Sequence, residues 1–238
     1  MKKLKILSIS AEVDPYAKAG GLADVSRSLP KALKRMGHDV KVIMPKHGCV
    51  DNEKHGLETA WENIPVQVDG EEVRFGVKKA ELMEDLPIYF IDKYNFFGNR
   101  KFIYTYDDDN QRNMFFNFAA LKIPELLNWK PDIIHCHDWT TGLIPYLLRT
   151  KFLKHPLFKK TASVFTIHNL AFQHGESPLF SHTSKWYRGN GGLPAFSDTK
   201  GIASINFMKR GIIYADIVNT VSENYAKEII TKEHGAGL

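Results

Sequence analysis

The feature that most constrains this chain is a sustained alternation of buried-strand and amphipathic-helix signals. Residues 4–10 are apolar and β-branched, residues 22–36 are amphipathic, and residues 39–45 are apolar again, which reads as a βαβ unit. Within the helical stretch Leu22, Val25, Leu29, Leu33 and Met36 recur at spacings of three and four, a stripe expected to face a sheet. Gly37 suits the helix C-terminus, and Pro30 marks a kink or break. The alternation continues with a helix over 110–127, strands over 132–137 and 162–167, and a helix over 142–152. A helix over 202–214, a strand over 216–221 and a final helix from Ser222 to about residue 232 complete it. Between 64 and 92 two short strands flank an Asp69-Gly70 turn and precede the apolar run 88–91, predicting a β-hairpin inserted beside the main sheet. The expected fold is α/β, a doubly wound, Rossmann-like parallel sheet.

A chain of 238 residues can bury one full core without disulfides. With 43% hydrophobic and 25% charged residues and a mean hydropathy of −0.29, disorder and membrane residence are both disfavoured. No segment approaches the length of a membrane span, and the basic start followed by a short alternating strand does not serve as a signal-peptide core. Cys49 and Cys136 share no metal or redox spacing, which points to a reducing compartment, the cytoplasm. The net charge of +5 is spread along the chain rather than run together, so it reads as solvated surface with some attraction for an anionic substrate, not as a nucleic-acid interface.

In doubly wound sheets ligands bind beyond the carboxyl ends of the strands, and residues with chemistry stand at those positions here. After the first strand come Lys18, Gly20 and Gly21, directly before a helix, where absent side chains and free N–H groups suit an anion; a tight turn with a solvated lysine is the plain alternative. The loop lacks G-x-G-x-x-G and the second strand ends in Met44-Pro45 with no acid to grip a ribose, which disfavours a dinucleotide cofactor. Asp24, in the first turn of that helix, is either a dipole-complementing acid or a sugar-binding carboxylate.

His135 and His137 fall on one face of a strand and Cys136 on the other, so no metal is expected: two ligands do not make a zinc site. Asp138 and Trp139 supply the acceptor and flat apolar face that pyranose rings use, although a capping aspartate and a packed tryptophan fit equally. His168 and Asn169 form a donor and acceptor set suited to hydroxyls. The stretch 173–199 is too long for a plain connector and is a candidate lid.

Together these segments resemble the bacterial glycogen synthase and plant starch synthase family. The resemblance rests on Lys18-Ala19-Gly20-Gly21-Leu22, on His135-Cys136-His137-Asp138-Trp139, on Thr166-Ile167-His168-Asn169-Leu170-Ala171-Phe172-Gln173, and on the run from Asn206 through Tyr214-Ala215-Asp216 to Thr220-Val221-Ser222. It implies a metal-independent GT-B glucosyltransferase acting with retention, passing glucose from ADP-glucose to the non-reducing end of an α-1,4-glucan, without a cofactor. It further implies that Lys18, Gly20, Gly21 and Asn169 bind the donor, that His168 and Asp138 are catalytic, and that Asp24, Trp139 and Asn206 lie on the acceptor side. Ala19 departs mildly from the family, where Thr or Val is common. Family members are about twice this length, so residues 1–238 are expected to be the N-terminal, acceptor-side domain, lacking the C-terminal nucleotide-binding domain and inert or nearly so alone. A noncatalytic glucan-binding or interaction module of the same fold is the alternative.

Overall fold

The computed structural model describes residues 2–173 and 185–238. Part of the predicted lid, residues 174–184, lies outside the described residues. The described chain forms an eight-stranded sheet in the order β3-β4-β5-β2-β1-β6-β7-β8. β1 (Lys5–Ile9), β2 (Asp39–Pro45), β5 (Leu86–Asp92), β6 (Ile133–His137), β7 (Ala162–Ile167) and β8 (Ile217–Thr220) run parallel. Their near-continuous apolar character follows from burial on both faces. Leu7, Ile9, Ile134, Cys136 and Phe165 enter one core, while Ile6, Val40, Val42, Ile88 and Phe90 enter the other.

The hairpin departs from expectation. β3 (Glu58–Val68) and β4 (Glu71–Met83) are long antiparallel strands with the Asp69-Gly70 turn between them, and β4 pairs with β5, so they extend the sheet instead of sitting beside it. The sheet is therefore mixed at that edge. Both turn residues have positive φ, 43° and 97°, as a tight hairpin turn between twisted strands requires.

Helix α1 (Gly21–Arg35) runs through Pro30 without ending there. Its buried face is Leu22, Ala23, Ser26 and Pro30, while Met36 is 58% exposed, so the expected stripe is rotated toward smaller side chains. The cause is close packing: the Ser26 hydroxyl donates to Ser10 Oγ at 2.9 Å, drawing the helix onto the end of β1. On the other face lie α2 (Asp109–Leu126) and α3 (Leu143–Arg149). A buried Arg112–Asp109 pair at 2.6 Å anchors the start of α2.

The single helix expected over 202–214 is two, α4 (Thr199–Ala203) and α5 (Phe207–Tyr214). Asn206 causes the break: its side chain accepts the Lys209 N–H at 2.8 Å and caps α5, an alternative to continuing the helix. Gly142 lets α3 start against α5, since a Cβ there would overlap the Phe207 carbonyl. The last helix, α6 (Glu223–Glu228), is capped by Ser222 as expected but ends earlier than residue 232. No described helix is long and apolar enough to cross a membrane.

Candidate active site

The strand order reverses between β1 and β6, so connections leave in opposite directions and open a crevice at their carboxyl ends. A cavity of about 650 Å³ occupies that position. Its walls come from the loop after β1 (Glu12, Ala19, Gly20, Gly21), the turn after β6 (Asp138, Trp139), the segment after β7 (His168, Asn169, Phe172), and Tyr104 and Thr105 from the loop before α2.

Gly20 is extended (φ −154°), and a Cβ on Gly20 or Gly21 would meet no atom within 4 Å. Neither backbone conformation nor packing therefore demands glycine; what its absence of a side chain leaves is room at the cavity wall. Helix α1 begins there with no side chain bonded as its cap, which aims the positive end of its dipole at the cavity. Beneath the loop is the buried Glu12. One carboxylate oxygen accepts the N–H groups of Ala19 at 2.5 Å and Gly20 at 3.1 Å, and the other accepts the Tyr104 hydroxyl at 2.6 Å. Lys18 is not a free cation: it pairs with Asp24 at 2.6 Å, and both stand about half exposed, off the cavity wall.

Asp138 adopts φ 57°, ψ −179°, a region nearly reserved for glycine. Its surroundings over-determine that shape. Its N–H donates to the Thr166 carbonyl at 3.0 Å, its carbonyl accepts the Thr141 hydroxyl at 3.1 Å, and its Oδ1 accepts the N–H groups of His168 at 2.7 Å and Asn169 at 3.3 Å. Burial pushes the Asp138 carboxyl up to about 7, against the lowering effect of those hydrogen bonds. Trp139 is only 6% exposed, set between Tyr104 and Phe207 at ring separations of 6.4 and 6.2 Å, so it meets the cavity by an edge rather than an open face.

The histidines form a ladder. His135 and His137 share a face as expected, with ring centroids 4.1 Å apart, and His137 Nδ1 lies 3.0 Å from His168 Nε2. His137 Nε2 in turn faces Ser8 Oγ at 3.5 Å, and His135 Nε2 faces Thr166 Oγ1 at 2.6 Å. Burial lowers His135 and His168 to about 4 and holds His137 well below its ordinary value, so at neutral pH all three are uncharged hydrogen-bonding groups. With Nε2 of His168 engaged by His137, Nδ1 is the ring nitrogen left for a ligand. Among the described residues no three of His, Cys, Asp or Glu gather as a metal-binding group.

The structure thus brings Gly20, Gly21, Asp138, Trp139, His168 and Asn169 to one cavity, with Lys18 and Asp24 outside its wall. It does not bring Asn206, which is fully buried as the α5 cap and donates to Gln173 Oε1 at 2.5 Å. Sequence reasoning missed Glu12, Tyr104 and Thr105. Thr105 is a β-branched residue held at φ 79°, its N–H bonded to Asp109 Oδ2 at 2.9 Å. For Glu12 a signal existed, a carboxylate just beyond a buried strand; for Tyr104, 92 residues away, none did.

A mostly parallel sheet with an anion-ready helix start, a buried carboxylate and a neutral histidine at adjacent strand ends is an α/β fold of the GT-B kind. The family follows from the whole chain: residues 5–238 match the model of the starch synthase catalytic domain, and the protein belongs to that family. It is 42% identical to the glycogen synthase of Moorella thermoacetica, over 100% of this chain and 47% of that protein. It is 40% identical to glycogen synthase 2 of Geobacter sulfurreducens, over 99% of this chain and 49% of that protein. Among solved structures it resembles the catalytic domain of starch synthase IV from Arabidopsis thaliana bound to ADP and acarbose, with a TM-score of 0.82 and 32% identity, over 100% of this chain and 48% of that one. The chain spans about half the length of the relatives it matches.

Proposed function

We propose that this chain is the acceptor-side domain of a glycogen or starch synthase, which transfers glucose from ADP-glucose to the non-reducing end of an α-1,4-glucan with retention. The observation that carries the reading is the convergence of Gly20, Gly21, Asp138 and His168 on one cavity at the strand reversal. The starch synthase IV neighbour, bound to ADP and acarbose, supports the choice of ligands.

In this reading the donor diphosphate approaches the side-chain-free wall at Gly20 and Gly21, and Lys18 contributes charge only by exchanging its Asp24 partner for the phosphate. The Nδ1 of His168 and the amide of Asn169 hold hydroxyls of the donor glucose. Asp138 fixes the backbone of both and presents its carboxyl to the sugar. Trp139 backs the pocket, and Asp24 lies on the acceptor side. Asn206 acts at one remove, by starting the helix that carries Phe207 against Trp139. Transfer breaks the bond from glucose C1 to the diphosphate oxygen and forms one from C1 to the acceptor O4 on the same face; the acceptor proton leaves with the diphosphate. Cations aimed at that leaving group would come from a second, nucleotide-binding domain, which makes activity of this half alone negligible. Cys49 and Cys136, both unpaired, support a cytoplasmic setting.

Binding to the 238-residue chain tests the reading. Amide shifts on adding ADP-glucose are expected at Gly20, Gly21, His168 and Asn169, and on adding maltohexaose around Trp139. Maltohexaose binding with no response to ADP-glucose would favour a noncatalytic glucan-binding module.

A further inference from the structure

A second cleft lies at the opposite end of the sheet. Lys3 and Lys5 at the start of β1, Lys130 before β6 and Lys160 before β7 surround a concavity of about 450 Å³ that also holds Asp39 and Asp132. The five-residue strands β1 and β6 separate it from the catalytic cavity by about 17 Å, at roughly 3.3 Å per residue.

Both carboxylates are engaged but keep acceptor capacity. Asp39 pairs with Lys41 at 3.2 Å and accepts the Trp129 Nε1–H at 2.7 Å, and Asp132 Oδ2 accepts the Lys5 N–H at 2.8 Å. Among the described residues none of the four lysines forms an ion pair. Four lysines and two aspartates line the concavity, a surplus of positive residues around it on a chain whose whole net charge is +5. The floor is rigid: Asp132 N–H donates to the Lys5 carbonyl at 2.8 Å, Ala162 N–H to the Asp132 carbonyl at 2.9 Å, and the Thr161 hydroxyl to the Pro131 carbonyl at 2.8 Å. Lysines rooted on a fixed backbone around one cleft can converge on a compact anion of high charge. Phosphate fits, because lysine binds it as a mobile point charge. A polynucleotide fits less well, since its backbone needs a track of cations and meets here a closed group with two carboxylates inside.

The geometry points to a binding site for a small sugar phosphate, its dianion held among Lys3, Lys5, Lys130 and Lys160 and its hydroxyls donating to Asp39 and Asp132. Nothing in the transfer reaction uses this site, so it stands or falls apart from the proposed activity.

The test is a titration of the ¹⁵N-labelled chain, at fixed ionic strength, with a pentose phosphate, inorganic phosphate and the uncharged pentose. Saturable shifts are expected at Lys5, Asp39, Asp132 and Lys160 with the ester, at least about fivefold tighter than with inorganic phosphate, and none with the free sugar. The double variant Lys130→Gln/Lys160→Gln should keep its Tm and lose at least about tenfold in affinity, whereas Lys18→Gln should bind as the parent does. Saturation confined to residues 20–22, equal affinity for ester and inorganic phosphate, or an unaffected double variant would each overturn the assignment.

Discussion

Asp138 Oδ1 accepts the His168 backbone N–H at 2.7 Å, tying the end of β6 to the end of β7 across 30 residues of chain. The same carboxyl lines the cavity. Of the two readings open for Asp138 from sequence, the helix cap is not realised, since its side chain makes no cap bond to the turn that follows it; its carboxylate instead fixes the backbone of His168 and Asn169.

Asp138 should leave a mark on stability. Its folded value of about 7 lies above the ordinary carboxyl value of 3.8, so its contribution is full below about pH 4 and is lost as pH rises through 7. Asp138→Asn keeps an acceptor for both N–H groups and removes the titration. Its urea midpoint should match the parent near pH 3.5 and exceed it near pH 8, by up to about 4 kcal/mol in unfolding free energy. Parallel curves for the two proteins would contradict the burial argument.

The histidines act in the opposite direction. His47, lowered to about 3, and His135 and His168, lowered to about 4, have folded values below 6.5, as does His137, so their contribution is present above pH 6.5 and is lost as pH falls toward 4. Four such groups outweigh the two carboxyls that burial raises, Asp138 and Asp109. Net proton uptake on unfolding is expected throughout pH 4.5 to 6, by calorimetry in buffers of differing ionisation heat, and it should decrease in His135→Gln.

Gly20→Ala and Gly21→Ala separate room from fold. An added methyl meets nothing in the protein at either place, so Tm should move by no more than about 2 °C. Affinity for ADP should fall at least about tenfold, because the methyl occupies the wall where the diphosphate must approach. Unchanged affinity would remove the glycine loop from the donor site.

Glu12→Ala should cost about 3 kcal/mol, since it strands the Tyr104 hydroxyl and the N–H groups of Ala19 and Gly20. Glu12→Gln, which can still accept, should recover most of that loss in thermal denaturation.

The parallel strands were legible because strands buried on both faces are short apolar runs between turn residues, as in 133–137 and 162–167. The candidate site was legible to the extent that it sits at their ends: Asp138 and His168 directly follow strands, and Gly20 closes the loop between β1 and α1. Asn206 misled because Ile202, Ile205 and Met208 keep a helical apolar pattern across the break, while the capping bond that ends it is a local side-chain choice the pattern does not carry. Trp139 could be read as an aromatic at the site but not as one pinned between Tyr104 and Phe207, since both partners arrive from distant segments. Glu12 and Tyr104 illustrate the same limit: their contact exists only after the loop before α2 has closed over β1.

The most direct measurement of the central claim is transfer of labelled glucose from ADP-glucose to glycogen by the full-length protein, comparing the parent with His168→Ala and Asp138→Asn. The account predicts α-1,4-linked, retained product from the parent and a loss of at least about 100-fold in kcat in His168→Ala, with Tm held. Parent-level transfer by His168→Ala, or no transfer by the parent from any nucleotide-activated glucose, would contradict it.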